Sequence, residues 1–162
     1  MTSTDAIALE TIDYIGVSRL QQAYADVVNR RAWPEFHDLF LPDARVVLDL
    51  GSRDPFELAG PAAVGEFIGG AISRFDFFEF VVLTTRVFLA HEGDPDLASA
   101  RIYMQEIRHD AGSGQFTTAY GLYRDLYRRV DQRWWIASRR YASLARSGPD
   151  LQVIPRSPAE LV

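Results

Sequence analysis

Apolar residues recur along this chain with two different periods, and the change from one to the other splits it into a helical first part and a strand-rich second part. From Asp13 to Arg31 the positions Ile15, Leu20, Ala23, Tyr24, Val27 and Val28 fall three and four apart, the stripe of an amphipathic helix. A second, shorter helix is predicted at Trp33-Pro34, because proline suits a helical first turn and Phe36, Leu39 and Phe40 then line one side; Leu41-Pro42-Asp43 ends it. Arg45 to Leu50 reads as a strand and Gly51 to Ala59 as a loop. Gly60-Pro61 opens a third helix that buries Val64, Phe67, Ile68, Ala71 and Ile72.

After Arg74 the pattern becomes that of strands. Phe77 to Leu89 is a long β-type run, Glu92 to Asp96 is a turn, Ala98 to His109 is a second strand, and Asp110 to Gly114 turns the chain again. Phe116 to Tyr141 then forms two aromatic-rich runs broken only at Val130-Asp131-Gln132-Arg133, which predicts a hairpin. On its first strand Ala119, Gly121, Tyr123, Asp125 and Tyr127 share one face, and Tyr120, Leu122, Arg124, Leu126 and Arg128 the other. On its second, strict alternation sets Trp134, Ile136, Ser138 and Arg140 against Trp135, Ala137, Arg139 and Tyr141. Neither face is purely apolar, so the polar groups must meet a ligand pocket or a second subunit.

Helices followed by sequential strands with short connections give an α+β fold with antiparallel pairing. The expected architecture is a cone-shaped α+β barrel, three N-terminal helices packed on a strongly curved, mostly antiparallel sheet. Residues 1–146 form this one domain, and 147–162, with three prolines, form an extended arm, either loosely ordered or laid across a pocket or a partner.

Composition removes several chemistries. With no cysteine, disulfides and thiolate ligands are absent, and because all 17 basic residues are arginine there is no amine for a Schiff base. A formal charge of −5 argues against nucleic acid, and neither a membrane span nor a signal peptide is apparent, so the cytoplasm is the expected compartment. His37, His91 and His109 have no metal-ligand spacing, and no metal site is expected. A sheet face carrying Tyr, Trp and Arg needs cover, which a homodimer or higher homo-oligomer supplies.

Particular residues add a resemblance. Tyr24-Ala25 and Trp33, the step Leu39-Phe40-Leu41-Pro42-Asp43-Ala44, Gly60 ahead of a helix, and above all Gly121-x-Tyr123-x-Asp125 followed by Trp134-x-Ile136-x-x-Arg139 resemble the SnoaL-like branch of the nuclear-transport-factor-two-like superfamily. That resemblance implies a cofactor-free enzyme of the polyketide-cyclase, dehydratase or isomerase kind, working by acid–base catalysis on a hydrophobic, aromatic or polycyclic metabolite in a central pocket. It also leaves a non-catalytic binding or assembly module open, such as the small subunit of an oxygenase. Scytalone dehydratase and hexachlorocyclohexane dehydrochlorinase, which the chain resembles, pair an aspartate late in the first helix with a strand histidine. Asn29 takes the aspartate's place here, and Phe80 or Val81 the histidine's.

The candidate catalytic residues are Asp49, Asp125, Tyr24 and Tyr123. Tyr24 lies about where ketosteroid isomerases, similar in fold, keep a donor tyrosine; its place on the helix stripe reads first as that of a core residue. Asp49 is a candidate base or an exposed strand-end carboxylate. Asp125 either holds a neighbouring arginine, with Arg139 the expected partner, or faces the pocket. The candidate substrate-binding residues are Asn29, Trp33, Phe40, Phe67, Phe80, Tyr103, Tyr120 and Arg139.

Overall fold

Helix α1 runs from Ser3 to Arg30 in the computed structural model, which describes residues 3–162, so it starts well before the predicted Asp13. The difference is one of packing. Ile7, Leu9 and Ile12 lie in solvent, and Ile15, on the stripe by spacing, is 43% exposed. Burial starts at Val17 and continues through Leu20, Gln21, Tyr24, Val27 and Val28. The helix closes in a Schellman motif: Arg31 takes a left-handed φ of 57°, its N–H donates to the Val28 carbonyl at 3.1 Å, and the Ala32 N–H donates to Val27 at 2.9 Å.

A 3-10 turn, Trp33–Asp38, carries Pro34 in its first turn and buries Phe36. Strand β1, Phe40–Asp49, begins where the short helix was expected to be ending. Its pairing breaks between Phe40 and Arg45, the stretch that holds Pro42, which has no N–H to give to a ladder. Strand β2, Phe56–Ala59, occupies the end of the predicted loop and pairs antiparallel with β1. Helix α2, Gly60–Ile72, follows it.

The long strands are β3 (Phe75–Leu89), β4 (Leu97–Asp110), β5 (Gln115–Val130) and β6 (Arg133–Ser147). The β5–β6 turn has positive φ at both central residues, 49° at Asp131 and 64° at Gln132, the sense that matches strand twist in a two-residue hairpin. Sheet order is β2-β1-β6-β5-β4-β3, with β1–β6 parallel and every other pair antiparallel. The sheet is curled but unclosed, an α+β arrangement with helices on its inner side. Helix α1 packs against β3 and β6, and α2 against β1 and the 3-10 turn. The arm adds β7, Leu151–Val153, antiparallel to β6, and a last helical turn, α3, Pro158–Leu161.

Strand β6 departs from strict alternation. Tyr127 pairs with Ile136 but Leu126 pairs with Ser138, so Ala137 is an extra residue; Leu144 is a second one, between Gly121↔Ser143 and Tyr120↔Ala145. Each bulge resets which side chains face inward. Trp134 and Ile136 therefore share the buried side with Arg139 and Tyr141, which alternation had put on the opposite face.

Candidate active site

The inner face of the sheet is built in cross-strand rows. Register sets Ala100, Asp125 and Arg139 in one row, Ile102, Tyr123 and Tyr141 in the next, then Met104, Gly121 and Ser143, then Glu106, Ala119 and Arg146. The centre of this floor is occupied by small residues. A Cβ at Gly121 would lie 2.3 Å from Tyr141 Cε2 and 2.9 Å from Met104 Sδ, so glycine is what lets the Tyr141 ring lie across the floor. Above it is a cavity of about 200 Å³. Helix α1 supplies Tyr24 and Val28 to its wall, α2 supplies Val64, Phe67 and Ile68, β1 supplies Val46 and Leu48, and Leu50 follows just past the strand's end. Phe75, Phe78 and Phe80 of β3 complete the apolar side.

One end of the cavity rests on a buried ion pair. Asp125 accepts from Arg139 Nε at 2.8 Å, Arg139 Nη2 at 2.6 Å, Gln21 Nε2 at 2.9 Å and the Tyr127 hydroxyl at 2.6 Å, so both carboxylate oxygens are engaged. Arg139 Nη2 also donates to Gln21 Oε1 at 3.0 Å. The side chains of the pair are 1% and 0% exposed. The guanidinium carbon lies 4.1 Å from the Tyr24 ring centroid and 4.2 Å from that of Tyr123, a cation held against two π faces. Burial works against this charge, but the attraction and hydrogen bonds of Asp125 prevail and hold the Arg139 pKa well above its ordinary value. Nη1, on the corner of the fork away from Asp125, is buried and has no hydrogen-bond partner.

The other polar end is ionic and nearer solvent. Arg108 donates from Nε to Glu106 Oε2 at 2.9 Å, and Arg74 lies 3.4 Å from Asp110. Glu106 is the one carboxylate among the residues that line the cavity. Burial pushes the Tyr24, Tyr123 and Tyr141 phenols up from the ordinary tyrosine value, against the pull of Arg139 on the first two; Glu106 adds to the rise at all three. All three therefore present O–H donors at neutral pH.

The structure brings Tyr24, Tyr123, Phe67, Phe80 and Arg139 together on this cavity. Other candidates lie elsewhere, for identifiable reasons. Along β1 and one residue past it, Val46, Leu48 and Leu50 face the cavity, so Asp49 points to the other side, where Arg156 Nη1 donates to it at 2.5 Å and holds its pKa below the usual carboxylate value. Asp125 sits behind Arg139 with its acceptor capacity filled. Asn29 clips α1 to β3: its amide donates to the Phe80 carbonyl at 3.0 Å and accepts from the Phe80 N–H at 2.6 Å.

Phe40 is buried beside Phe36 and Tyr24 in the core, and Trp33 packs under Gly65 and Gly69 on a separate surface groove. Tyr103 and Tyr120 lie on the outer face, out of phase with Ile102, Met104, Gly121 and Tyr123; the Tyr120 hydroxyl meets Gln105 Nε2 at 3.4 Å. Sequence reasoning missed Glu106, Arg108, Tyr141 and Arg146. The period-two run Ile102, Met104, Glu106, Arg108, apolar and then ionic on one face, was the available signal.

Among the described residues no group of His, Asp and Glu is placed to hold a metal ion, and no helix is long and apolar enough to cross a membrane. The profile of the SnoaL-like domain family matches residues 10–140. The chain belongs to that family. No curated protein matches this SnoaL-like chain in sequence. Among solved structures it is similar to a candidate scytalone dehydratase from Novosphingobium aromaticivorans, at 14% identity and a TM-score of 0.75, over 94% of this chain and 97% of the other. It is also similar to a type 2 hexachlorocyclohexane dehydrochlorinase, LinA, at 10% identity and a TM-score of 0.74, over 93% and 97% of the two chains. A nuclear-transport-factor-two-like protein with a cystatin-like fold, again from Novosphingobium aromaticivorans, matches at 19% identity and 0.71 over 99% and 94%. At these identities the likeness is one of fold.

Proposed function

We propose that the cavity is the active site of a cofactor-independent enzyme of the dehydratase or isomerase kind, moving a proton on a small hydrophobic substrate that carries a carbonyl or enol oxygen. The observation that carries this reading is the lining itself: a single carboxylate, Glu106, shares a largely aromatic and aliphatic cavity with three phenol donors and four arginines, one of which, Arg139, has a buried N–H without a partner. The substrate oxygen would sit against Arg139 Nη1 and the Tyr24 and Tyr123 hydroxyls, where preformed donors stabilise charge as an enolate develops. Glu106, oriented by Arg108, would take the proton from the adjacent carbon and return it. An engineered apolar cavity of roughly 150 Å³ holds benzene, so about 200 Å³ suits one or two rings rather than a larger polycycle.

The test is deuterium exchange at the activated carbon of 2-tetralone, followed by proton NMR in heavy water. Native protein should accelerate the exchange, and Glu106→Gln should lose roughly 10²- to 10⁴-fold of that acceleration. Equal rates in the two proteins would leave a ligand-binding module of the same fold. Association into a homodimer belongs to the same proposal. Its support is the apolar surface left uncovered at Phe77, Leu83 and Phe116 and along the first turns of α1, and sedimentation velocity would test it.

A further inference from the structure

Four arginines line the cavity of a protein whose net charge is −5: Arg74, Arg108, Arg139 and Arg146. Three of them are answered by carboxylates of the chain itself, Arg74 by Asp110, Arg108 by Glu106 and Arg139 by Asp125. Arg146 has no carboxylate partner among the described residues. Its Nη2 reaches only the Leu50 carbonyl, at 3.3 Å, and its Nε is buried with no hydrogen-bond partner at all. An unmatched cation with a buried, unused N–H, at the wall of an apolar cavity, is costly unless something that enters the cavity satisfies it.

The geometry around it fits such an arrangement. Arg146 and Glu106 stand in the same cross-strand row with only the Ala119 methyl between them, so their main chains are roughly 10 Å apart, two strand spacings. Across that methyl no ion pair joins Arg146 to Glu106 among the described residues, and the Glu106 carboxylate is held by Arg108 instead. Arg146 and Tyr141 line the same cavity, and the arginine's charge draws the tyrosine pKa down against the larger effect of burial.

We infer that the ligand of this cavity is an anion with an apolar body, a carboxylate on one or two rings, and that Arg146 binds its charge. The inference rests on the reading of the cavity given above and adds to it the class of molecule. Arg146 fixes the charged end, the rings lie among Leu48, Phe67 and Phe78, and the reacting carbon is left toward Glu106.

The test uses two ligands of one shape that differ in charge, 2-naphthoate and the neutral 2-naphthamide, titrated calorimetrically into the native chain. Naphthoate should bind roughly 10- to 100-fold more tightly, the range of one hydrogen bond to a charged group. Arg146→Gln should abolish that preference, and Arg146→Lys should restore part of it. Equal binding of the two ligands by native protein overturns the inference, as does a preference that survives in Arg146→Gln, or binding of neither ligand. The comparison within native protein stands even if a variant fails to fold. Because 2-tetralone is neutral, its exchange reports on Glu106 alone, so loss of the charge preference and loss of the catalytic reading are separate results.

Discussion

Replacing Asp125 by asparagine keeps the volume of the side chain and removes its charge, which isolates what the buried ion pair contributes. Four donors converge on this carboxylate, two from Arg139, one from Gln21 and one from Tyr127. An asparagine can accept on one side only; its amide would turn two N–H groups toward groups that are themselves donors. Arg139, 1% exposed, would then be a buried cation without a counter-ion. Removing one partner of such a pair costs about 3–5 kcal/mol. A domain of this size has a total stability of roughly 5–15 kcal/mol, so the change removes a third or more of it in many cases. At about 2–4 °C per kcal/mol, the melting temperature should fall by roughly 6–20 °C. Urea denaturation at pH 7, with an unchanged m-value, measures the loss directly. Adding Arg139→Met to the same chain should recover part of the stability, since no uncompensated charge then remains in the interior. A loss under about 1 kcal/mol, or a double variant in which the two costs simply add, would refute the argument that charge, not packing, makes Asp125 indispensable.

Gly121→Ala should destabilise by about 1–3 kcal/mol, the range for forcing extra volume into a packed site, because the new methyl meets the Tyr141 ring and the Met104 sulfur. Urea melts check this, and adding Tyr141→Leu should relieve the cost. For Asp49 the sign follows from its depressed pKa. Arg156, donating to the carboxylate, favours the ionised form in the folded chain, so the stability this adds is present above the unfolded aspartate pKa of about 3.9 and is lost as pH falls through the folded value. Asp49→Asn should therefore be less stable than the native chain at pH 6, with the gap narrowing as pH drops below about 4. A gap independent of pH between 6 and 2.5, in urea midpoints, would mean that the ion pair contributes nothing.

Much of the fold could be read from residue order, because hydrophobic period and turn chemistry agree along the second half of the chain. The inward face of β5 is the clearest case. Gly121, Tyr123 and Asp125 were placed together by alternation alone, and each has a separate task there: space for Tyr141, a wall for the cavity, and a counter-ion for Arg139. Alternation failed on β6 because Ala137 is a bulge, and an extra residue in one strand leaves no mark in a single sequence when it is as unremarkable as alanine. Asp49 was attractive because carboxylates at strand ends suit proton transfer, yet the residues on either side of it, Leu48 and Leu50, are the ones on the cavity. The ionic end escaped notice because Glu106 and Arg108, two residues apart, look like an exposed strand terminus until the curl of the sheet turns them inward. Length alone hid the start of α1: its first turns bury nothing, so no stripe announces them.

The arm after Ser147 has a consequence for self-association. Where β1 stops, opposite Ala142 of β6, the same edge of β6 is taken up from Ala145 to Ser147 by Val153, Gln152 and Leu151. Arg156 fastens the arm with hydrogen bonds to the Ser143 carbonyl and Asp49. Without this strap a stretch of unpaired main chain on a long strand would be open to any passing extended polypeptide, a standard route to fibrous aggregates. The arm thus shields main chain that would otherwise stand open, and because Gln152 pairs with Arg146 of the cavity wall, trimming it should lower solubility and loosen that wall together.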